Sequence, residues 1–469
     1  MSKKVLWFGL MVNEMIDFKQ FEKYSKAGPR YTSYPTAPIF NEAFKEKELI
    51  QFFKAQDKNR ALSLYIHIPF CRSACYFCGC NVIFTSKEDK KTRYIEYLKK
   101  ELTLLKQHLD TSRMVTQMHF GGGTPTFLSA QQLEEVITLI KQTFPNFSHD
   151  AEISCEVDPR YFTKEHMEVL KNGGCNRLSF GVQDINEQVQ KEIHRIQPFE
   201  TTQNVMKIAR DAGITSVNID LIYGLPYQTK ATFKETLEKV ITLNPDRLAV
   251  FNYAHVPWLM KTMRKFDETT FAPPSEKLEI LKESIEFFTS NGYKMVGMDH
   301  FAKPEDELFK AIQKGELHRN FQGYTTKGGA DLIGIGVTSI GNGVDYYVQN
   351  FKELKEYEEA IDSGHLPVFK GYALSLDDQI RQAVIMELMS NFALNIPRIE
   401  KEFSIDFNDY FKDDLKELDE FIKAGLVSIT HDKITVSQTG TMLIRNICMP
   451  FDAYLKQVPE NKRRFSKTI

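Results

Sequence analysis

The chain has 469 residues, 42% of them hydrophobic, which is ordinary for a globular protein and enough for one large core beside a smaller one; disorder is excluded. Lys and Arg total 60 against 62 Asp and Glu, a formal net charge of -2, so no broad field draws a nucleic acid or an anionic membrane, and anions must be bound locally. Seven cysteines, four of them crowded between positions 71 and 80, point to metal binding rather than to a disulfide scaffold.

The first apolar run, 5–12, follows Lys3 and Lys4, but it is short, lacks a small-residue cleavage pattern and is not read as a signal peptide. No later stretch approaches the roughly 20 apolar residues of a membrane span, and a cytoplasmic location is expected. The stretch Gly28-Pro29-Arg30-Tyr31-Thr32-Ser33-Tyr34-Pro35-Thr36 is too rich in proline and aromatic residues for a plain helix. It predicts an ordered arm, 1–55, lying over the main domain.

From about residue 60, β-rich runs at 62–68, 115–120, 152–157, 177–181, 216–222 and 247–253 alternate with helical patterns near 92–108, 130–143, 164–172, 199–212, 230–243 and 275–291. Six βα units in series predict an α/β fold, a parallel sheet curled by right-handed crossovers into a full or partial (βα)6 TIM-like barrel over 56–365. A doubly wound open sheet is the competing architecture. Either arrangement places reactive groups at the carboxyl ends of the strands. There the sequence puts Cys71, Gly121-Gly122-Gly123-Thr124, Glu156-Val157-Asp158-Pro159 and Gln183, with Asp220 shortly before Gly224-Leu225-Pro226. Beyond about 366, amphipathic patterns at 374–389 and 411–424 precede a β-like pair around 427–436, predicting a small, mainly helical or winged-helix-like domain over 366–469.

The stretch Cys71-Arg72-Ser73-Ala74-Cys75-Tyr76-Phe77-Cys78-Gly79-Cys80 carries a Cys-x3-Cys-x2-Cys pattern. Three thiolates hold three corners of a [4Fe–4S] cubane and leave the fourth iron open to the amine and carboxylate of an amino acid. Cys80, two residues after Cys78, is assigned no ligand role. Structural zinc is the competing reading; it needs a fourth Cys or His, and no second ligand pair follows. Glycines 121–123 also read as a tight turn, Gln183 as a helix cap and Arg195 as a solvated charge, whereas Asp220 in an apolar strand is expensive unless paired.

At these residues the chain resembles the radical S-adenosylmethionine superfamily and, more narrowly, the oxygen-independent coproporphyrinogen III oxidase family. The likeness extends to the arm at 28–36, to 65–70, to Phe180-Gly181-Val182-Gln183-Asp184, to 297–301, to 317–324 and to 446–454. The resemblance implies that Tyr65, Phe77, Gly79, Gly122, Gly123, Thr124, Glu156, Gln183, Arg195, Asp220, Ala254 and Ile340 line the space for two S-adenosylmethionine molecules. Of these, Tyr65 and Glu156 stand with the three cysteines as catalytic candidates. Glu156 and Arg195 suit the amino-acid end and Asp220 a ribose. The resemblance further implies that Arg30, Tyr31, Arg319 and Gln322 meet the porphyrinogen.

The implied reaction converts two propionates of coproporphyrinogen III to vinyl groups, giving protoporphyrinogen IX, by a 5'-deoxyadenosyl radical and without oxygen. It needs a low-potential flavodoxin- or ferredoxin-like electron donor and a final acceptor, and a monomer without nucleic-acid or membrane partners is expected. A haem chaperone on the same cluster domain and a haem-modifying, ring-opening enzyme are the alternatives. Relatives of the chaperone kind generally lack the arm and the 318–324 stretch, which are present here.

Overall fold

The computed structural model describes residues 23–463 and 465–468. The apolar run 5–12, with the rest of the first 22 residues of the expected arm, lies outside the described residues.

Twelve strands form one sheet: β1 (Leu62–Ile68), β2 (Val115–Gly122), β3 (Phe147–Val157), β4 (Arg177–Gln183), β5 (Ser216–Tyr223), β6 (Arg247–Asn252), β7 (Lys294–Val296), β8 (His300–Ala302), β9 (Asp331–Ile335), β10 (Ile340–Asn342), β11 (Tyr346–Asn350) and β12 (Val368–Ala373). Their spatial order is β12-β11-β10-β9-β1-β2-β3-β4-β5-β6-β8-β7. From β1 to β6 every neighbour is parallel, with Tyr65 opposite His119, Glu156 opposite Ser179 and Gly181 opposite Asp220. The order never turns back on itself, as a doubly wound sheet must at its switch point.

Right-handed crossovers then put α1 (Glu88–Leu105), α2 (Ala130–Thr143), α3 (Lys164–Asn172), α4 (Phe199–Asp211) and α5 (Lys230–Thr242) on one face, and that one-sided cover curls the sheet. The helix starts are set locally: Ser129 with Gln132, and Thr163 with His166, close capping boxes on α2 and α3. A seventh parallel strand, β9, pairs the other edge of β1, Leu64 opposite Ile333, and was not expected from the sequence. Among the described residues β6 and β9 do not pair, so the barrel stays partial; antiparallel β8 flanks β6, and β10 flanks β9.

The strands alternate in chemistry. Leu64, Ile66, Phe120, Leu178, Phe180 and Ile219 are fully buried in the main core, each contributing about 1.5–3 kcal/mol. The opposite face, which lines the lumen, is polar. Ser63 donates to Gln117 (2.8 Å), Gln117 to Glu152 (2.9 Å), and Glu152 pairs with Arg177 (3.1 Å). A closed barrel fills this space with branched aliphatic side chains. Here a hydrogen-bonded polar layer floors a lumen open at the strand ends.

A second core lies in the C-terminal region. The helix Leu376–Asn391 packs Ile380 and Leu388 on Phe407 and Ile447, beside a three-stranded antiparallel sheet of Ala393–Asn395, Val427–Ile429 and Lys433–Val436. The described part of the arm does more than lie on the barrel. Its Tyr24, Tyr31 and Tyr34 are buried in this second core, while Phe44, Leu49 and Phe53 join the first. Arg445 donates to the carbonyls of Pro29 (2.9 Å), Lys467 (3.1 Å) and Gly28, tying arm and tail together.

Candidate active site

The cysteine segment is a hoop closed by backbone pairing. Directly after β1, Phe70–Cys71 runs parallel to Ile83–Phe84, and Ile83 N donates to Pro69 O at 2.7 Å. The end of β2 docks beneath it, with Gly123 N on Ile68 O (2.8 Å) and Thr124 N on Phe70 O (3.0 Å). A Cβ at Gly123 would lie 2.8 Å from the Pro69 and Phe70 carbonyl oxygens, and one at Gly122, where φ is +113°, 2.7 Å from the His67 ring. The glycines therefore serve close approach of β2 to the hoop, not the turn that their sequence alone equally predicts.

Cationic and donor groups surround the sulfurs. Arg195 Nη1 lies 3.7 Å and Arg160 Nη2 3.8 Å from Cys75 Sγ, and Thr124 Oγ1 lies 3.4 Å from Cys71 Sγ. Arg195 is 6% exposed rather than solvated. Its Nη1 donates to Asp158 Oδ2 (2.9 Å) and its Nη2 to Gly181 O (2.7 Å), leaving a buried Nε without a partner. Burial opposes ionisation of Asp158, but Arg195 and Arg160 hold its carboxyl below the usual range. The Cys80 thiol and backbone N–H donate toward Cys78 and draw its thiol down to about 7, whereas burial pushes Cys71 up to about 12. Cys80 thus stands as a partner of Cys78.

The remaining predicted residues lie near the strand ends, in the hoop and in the loops that follow. Tyr65 OH lies 3.1 Å from His67 Nδ1, and His67 Nε2 lies 3.2 Å from Asn81 O. A carbonyl only accepts, so Nε2 carries the hydrogen and Tyr65 donates to Nδ1. Burial lowers His67 to about 4, which keeps it neutral. Glu156, at the end of β3, accepts from Gly122 N at 3.3 Å and faces His119 Nε2 at 3.4 Å. Gln183 has φ +69°, and Asn186 rather than Gln183 caps the helix Glu187–Glu192. Asp220 accepts from Ser179 Oγ (2.8 Å) and Asn218 Nδ2 (2.7 Å), and burial still pushes its carboxyl up to about 6. Ala254 follows β6, Ile340 opens β10, Phe77 packs on the cluster that holds Val189 and Ile193, and Gly79 is exposed with open space around it.

The mouth is cationic. Arg30 Nη2 donates to Asn252 O (2.8 Å), fixing the arm over the end of β6, and Tyr31 OH donates to Asp452 Oδ2 (3.0 Å). Arg319 lies in the hairpin of His318–Asn320 with Gly323–Thr325, its guanidinium 4.6 Å over the Tyr324 ring, with Nε and Nη1 buried and unpartnered. Both amide atoms of Gln322 and Asn252 Oδ1 are likewise buried without partners. Asp299 is held at about 2 against the effect of burial by His300 at 2.7 Å and by the charges of Arg319 and Arg30.

Residues 65–240 match the model of the radical SAM superfamily, and 374–443 that of the HemN C-terminal domain. An oxygen-independent coproporphyrinogen III oxidase of Helicobacter pylori strain J99 is 58% identical over 97% of this chain and 100% of its own length. That of Escherichia coli K12 is 48% identical over 97% and 98%. This chain belongs to the oxygen-independent coproporphyrinogen III oxidase family. The fold agrees: the solved coproporphyrinogen III oxidase of Escherichia coli, described as a radical SAM enzyme, superposes with a TM-score of 0.88 over 91% of this chain and 97% of that one.

Membership in this oxidase family brings a [4Fe–4S] cluster and S-adenosylmethionine as cofactors. The residues present fit them. Cys71, Cys75 and Cys78 share one loop, with Arg195 and Arg160 within 3.8 Å of Cys75 Sγ and Thr124 Oγ1 3.4 Å from Cys71 Sγ, a thiol set with cationic support that suits an iron–sulfur cluster. Arg195 Nε, Arg319 Nε and Nη1 and both amide atoms of Gln322 are buried without a partner in the chain, polar atoms that a bound ligand would satisfy.

Several residues around the sulfurs escape the sequence reading. Asp158 belongs to the Glu156–Pro159 motif and Arg160 follows it, yet their pairing beside Cys75 is visible only in three dimensions. The signal was an acid and an arginine two residues apart at a strand's carboxyl end. Asn218 and Ser179, which satisfy Asp220, carried no signal beyond their period-2 placement.

Proposed function

We propose that this chain removes two propionate carboxyls of coproporphyrinogen III oxidatively, without oxygen, to give the vinyl groups of protoporphyrinogen IX in haem synthesis. The observation that carries this reading is a three-cysteine hoop at the mouth of a polar lumen, in a chain 58% identical to enzymes of that name. Cys71, Cys75 and Cys78 would hold the cluster. With S-adenosylmethionine bound, the cluster would supply radical chemistry able to take a hydrogen atom from the propionate β-carbon, so that carbon dioxide and one electron, passed to an acceptor, could leave as the vinyl group forms.

The chain's own residues position and exclude. Glu156, beside Gly122 N, takes the ammonium of the cosubstrate, and the free Nε of Arg195 takes its carboxylate. Asp220 accepts from ribose. Tyr65, Phe77, Gly79, Gly122, Gly123, Thr124 and Gln183 shape the first molecule's berth, and Ala254 and Ile340 extend it toward a second molecule. Arg30 and Arg319, with Tyr31 and Gln322 beside them, hold the carboxylates of the tetrapyrrole, and the arm closes the mouth against water.

The working unit is a monomer in the cytoplasm, divided into the arm (1–55), the barrel (56–365) and the C-terminal domain (366–469). It takes electrons from a low-potential flavodoxin- or ferredoxin-like donor and passes the electron released at each decarboxylation to a separate acceptor. No helix of the described residues is long and apolar enough to cross a membrane. An anaerobic assay with coproporphyrinogen III, dithionite, S-adenosylmethionine and an oxidant tests the reaction. Vinyl product supports it; tight haem binding without turnover, or an opened tetrapyrrole, refutes it.

A further inference from the structure

Reductive cleavage of S-adenosylmethionine requires an electron from outside, which must arrive across the surface beside the cysteine hoop. The loop after β6 packs its apolar underside, Met263 and Phe266, in one cluster with Tyr76 and Phe77 of the hoop. Its other side faces solvent. Trp258 is 49% and Leu259 64% exposed, large apolar groups that a surface seldom displays side by side.

Lys261, Arg264 and Lys265 are exposed beside them, and 257–266 contains no acid, in a chain whose net charge is -2. Of the acids close by in sequence, Glu268 pairs with His255 (3.0 Å) and Glu187 with Lys191 (3.7 Å), while Asp267 and Glu192 leave the patch with a cationic surplus of one.

Lys265 Nζ stands 4.4 Å over the Tyr76 ring, His194 stacks on that ring at 4.9 Å and 11°, and Phe266 meets its edge at 6.2 Å. His194 Nδ1 in turn bonds Ala74 O at 2.7 Å. The stack therefore leads from solvent to the backbone next to Cys75. Arg264 Nε, bonded to Pro257 O at 2.7 Å, fixes the loop's shape.

We propose that the lip of 257–265, with the outer faces of Tyr76 and His194, is the docking surface for a small acidic flavin-bearing carrier protein. The inference rests on the radical S-adenosylmethionine reading above. The carrier gives up one electron and the cluster accepts it, with no bond made or broken. Lysine and arginine steer an acidic partner and set its on-rate. The exposed pair Trp258 and Leu259, at 49% and 64%, matches the apolar edge that a flavin presents, and the cations beside it match an acidic protein around that edge. The patch is small, as transient electron-transfer contacts are.

The test is calorimetric titration of oxidised flavodoxin, and separately of a ferredoxin, into the full chain carrying its cluster under anoxic conditions. Flavodoxin should bind in a salt-weakened manner. Lys261→Glu with Lys265→Glu should raise its Kd about tenfold or more, and Trp258→Ala should raise it about fivefold. Lys106→Glu with Lys239→Glu, near the ends of α1 and α5 at the opposite end of the barrel, should leave it unchanged.

Dithionite-driven methionine release should be the same in all variants, and its absence from the unaltered protein would refute the underlying reading instead. Salt-independent binding by the unaltered protein, an unchanged Kd in the Lys261 and Lys265 variant, or ferredoxin binding tighter than flavodoxin would overturn the docking proposal.

Discussion

Arg195 Nη1 lies 2.9 Å from Asp158 Oδ2 and 3.7 Å from Cys75 Sγ, so one buried guanidinium joins a carboxylate of the β3 end to a sulfur of the hoop. Arg160 repeats the pattern from the same carboxylate, with its Nη2 3.8 Å from the same sulfur. Removing the acid leaves two arginines facing each other across a buried site. Asp158→Asn is expected to cost about 3 kcal/mol, since breaking a buried pair strands its partner. Urea unfolding of the cluster-free chain reads this directly; a change below about 0.5 kcal/mol would show the pair to be dispensable.

Cys71→Ser, Cys75→Ser and Cys78→Ser should each abolish iron and sulfide uptake while far-ultraviolet dichroism stays unchanged, because hoop closure rests on the Phe70 and Ile83 backbone. Cys80→Ser should retain the metal content, its place being beside Cys78 rather than at a cluster corner. Iron and sulfide analysis after anoxic reconstitution decides between the four.

Asp220 predicts a pH effect. Its ordinary value is 3.8, and burial raises it to about 6 in the fold. Below 3.8 folded and unfolded chains are both protonated and nothing is lost; the penalty grows as pH rises to 6 and is constant above, on the order of 2–3 kcal/mol. Asp220→Asn should therefore stabilise the protein at pH 8 and not at pH 3.5, by denaturant titration at both. If the ionised carboxylate receives ribose, affinity for S-adenosylmethionine should fall below pH 6 in the unaltered protein and be flat with pH in the variant.

Gly122→Ala drives a methyl group to 2.7 Å from the His67 ring at a φ that only glycine adopts cheaply. Displacing that ring breaks the Tyr65 contact, so cosubstrate affinity should fall about tenfold or more while Ala substitution at solvent-facing Gly213 costs stability alone.

Arg30→Glu and Arg319→Glu should weaken coproporphyrinogen binding and leave the cluster's visible spectrum intact. Reversal places a carboxylate against carboxylates, and undiminished affinity would remove that arginine from the mouth's role.

Much of this architecture is legible in one dimension. The six strands alternate β-branched and polar residues locally, and Leu62–Ile68 is found with the bounds its pattern implies. β9, by contrast, spans only Asp331–Ile335, with an acid first and Gly334 inside, and becomes a strand because β1 offers it an edge some 270 positions earlier in the chain. The same holds in the site. Arg195 looks like a surface charge until Asp158, 37 positions away, is brought against it. Sulfur spacing is a local signal; burial and pairing are not.

The bond network of Arg445 has a consequence for the order of events during synthesis. Gly28, Pro29 and Tyr31 leave the ribosome well before the side chains that seat them, for Arg445 lies 416 positions after Pro29 and Asp452 421 positions after Tyr31. A nascent chain can build the barrel and its cysteine hoop long before the arm has anywhere to dock. The arm stays unlatched until Arg445 and Asp452 have been made, so the strand ends and the cysteine hoop take shape while that seat is still empty.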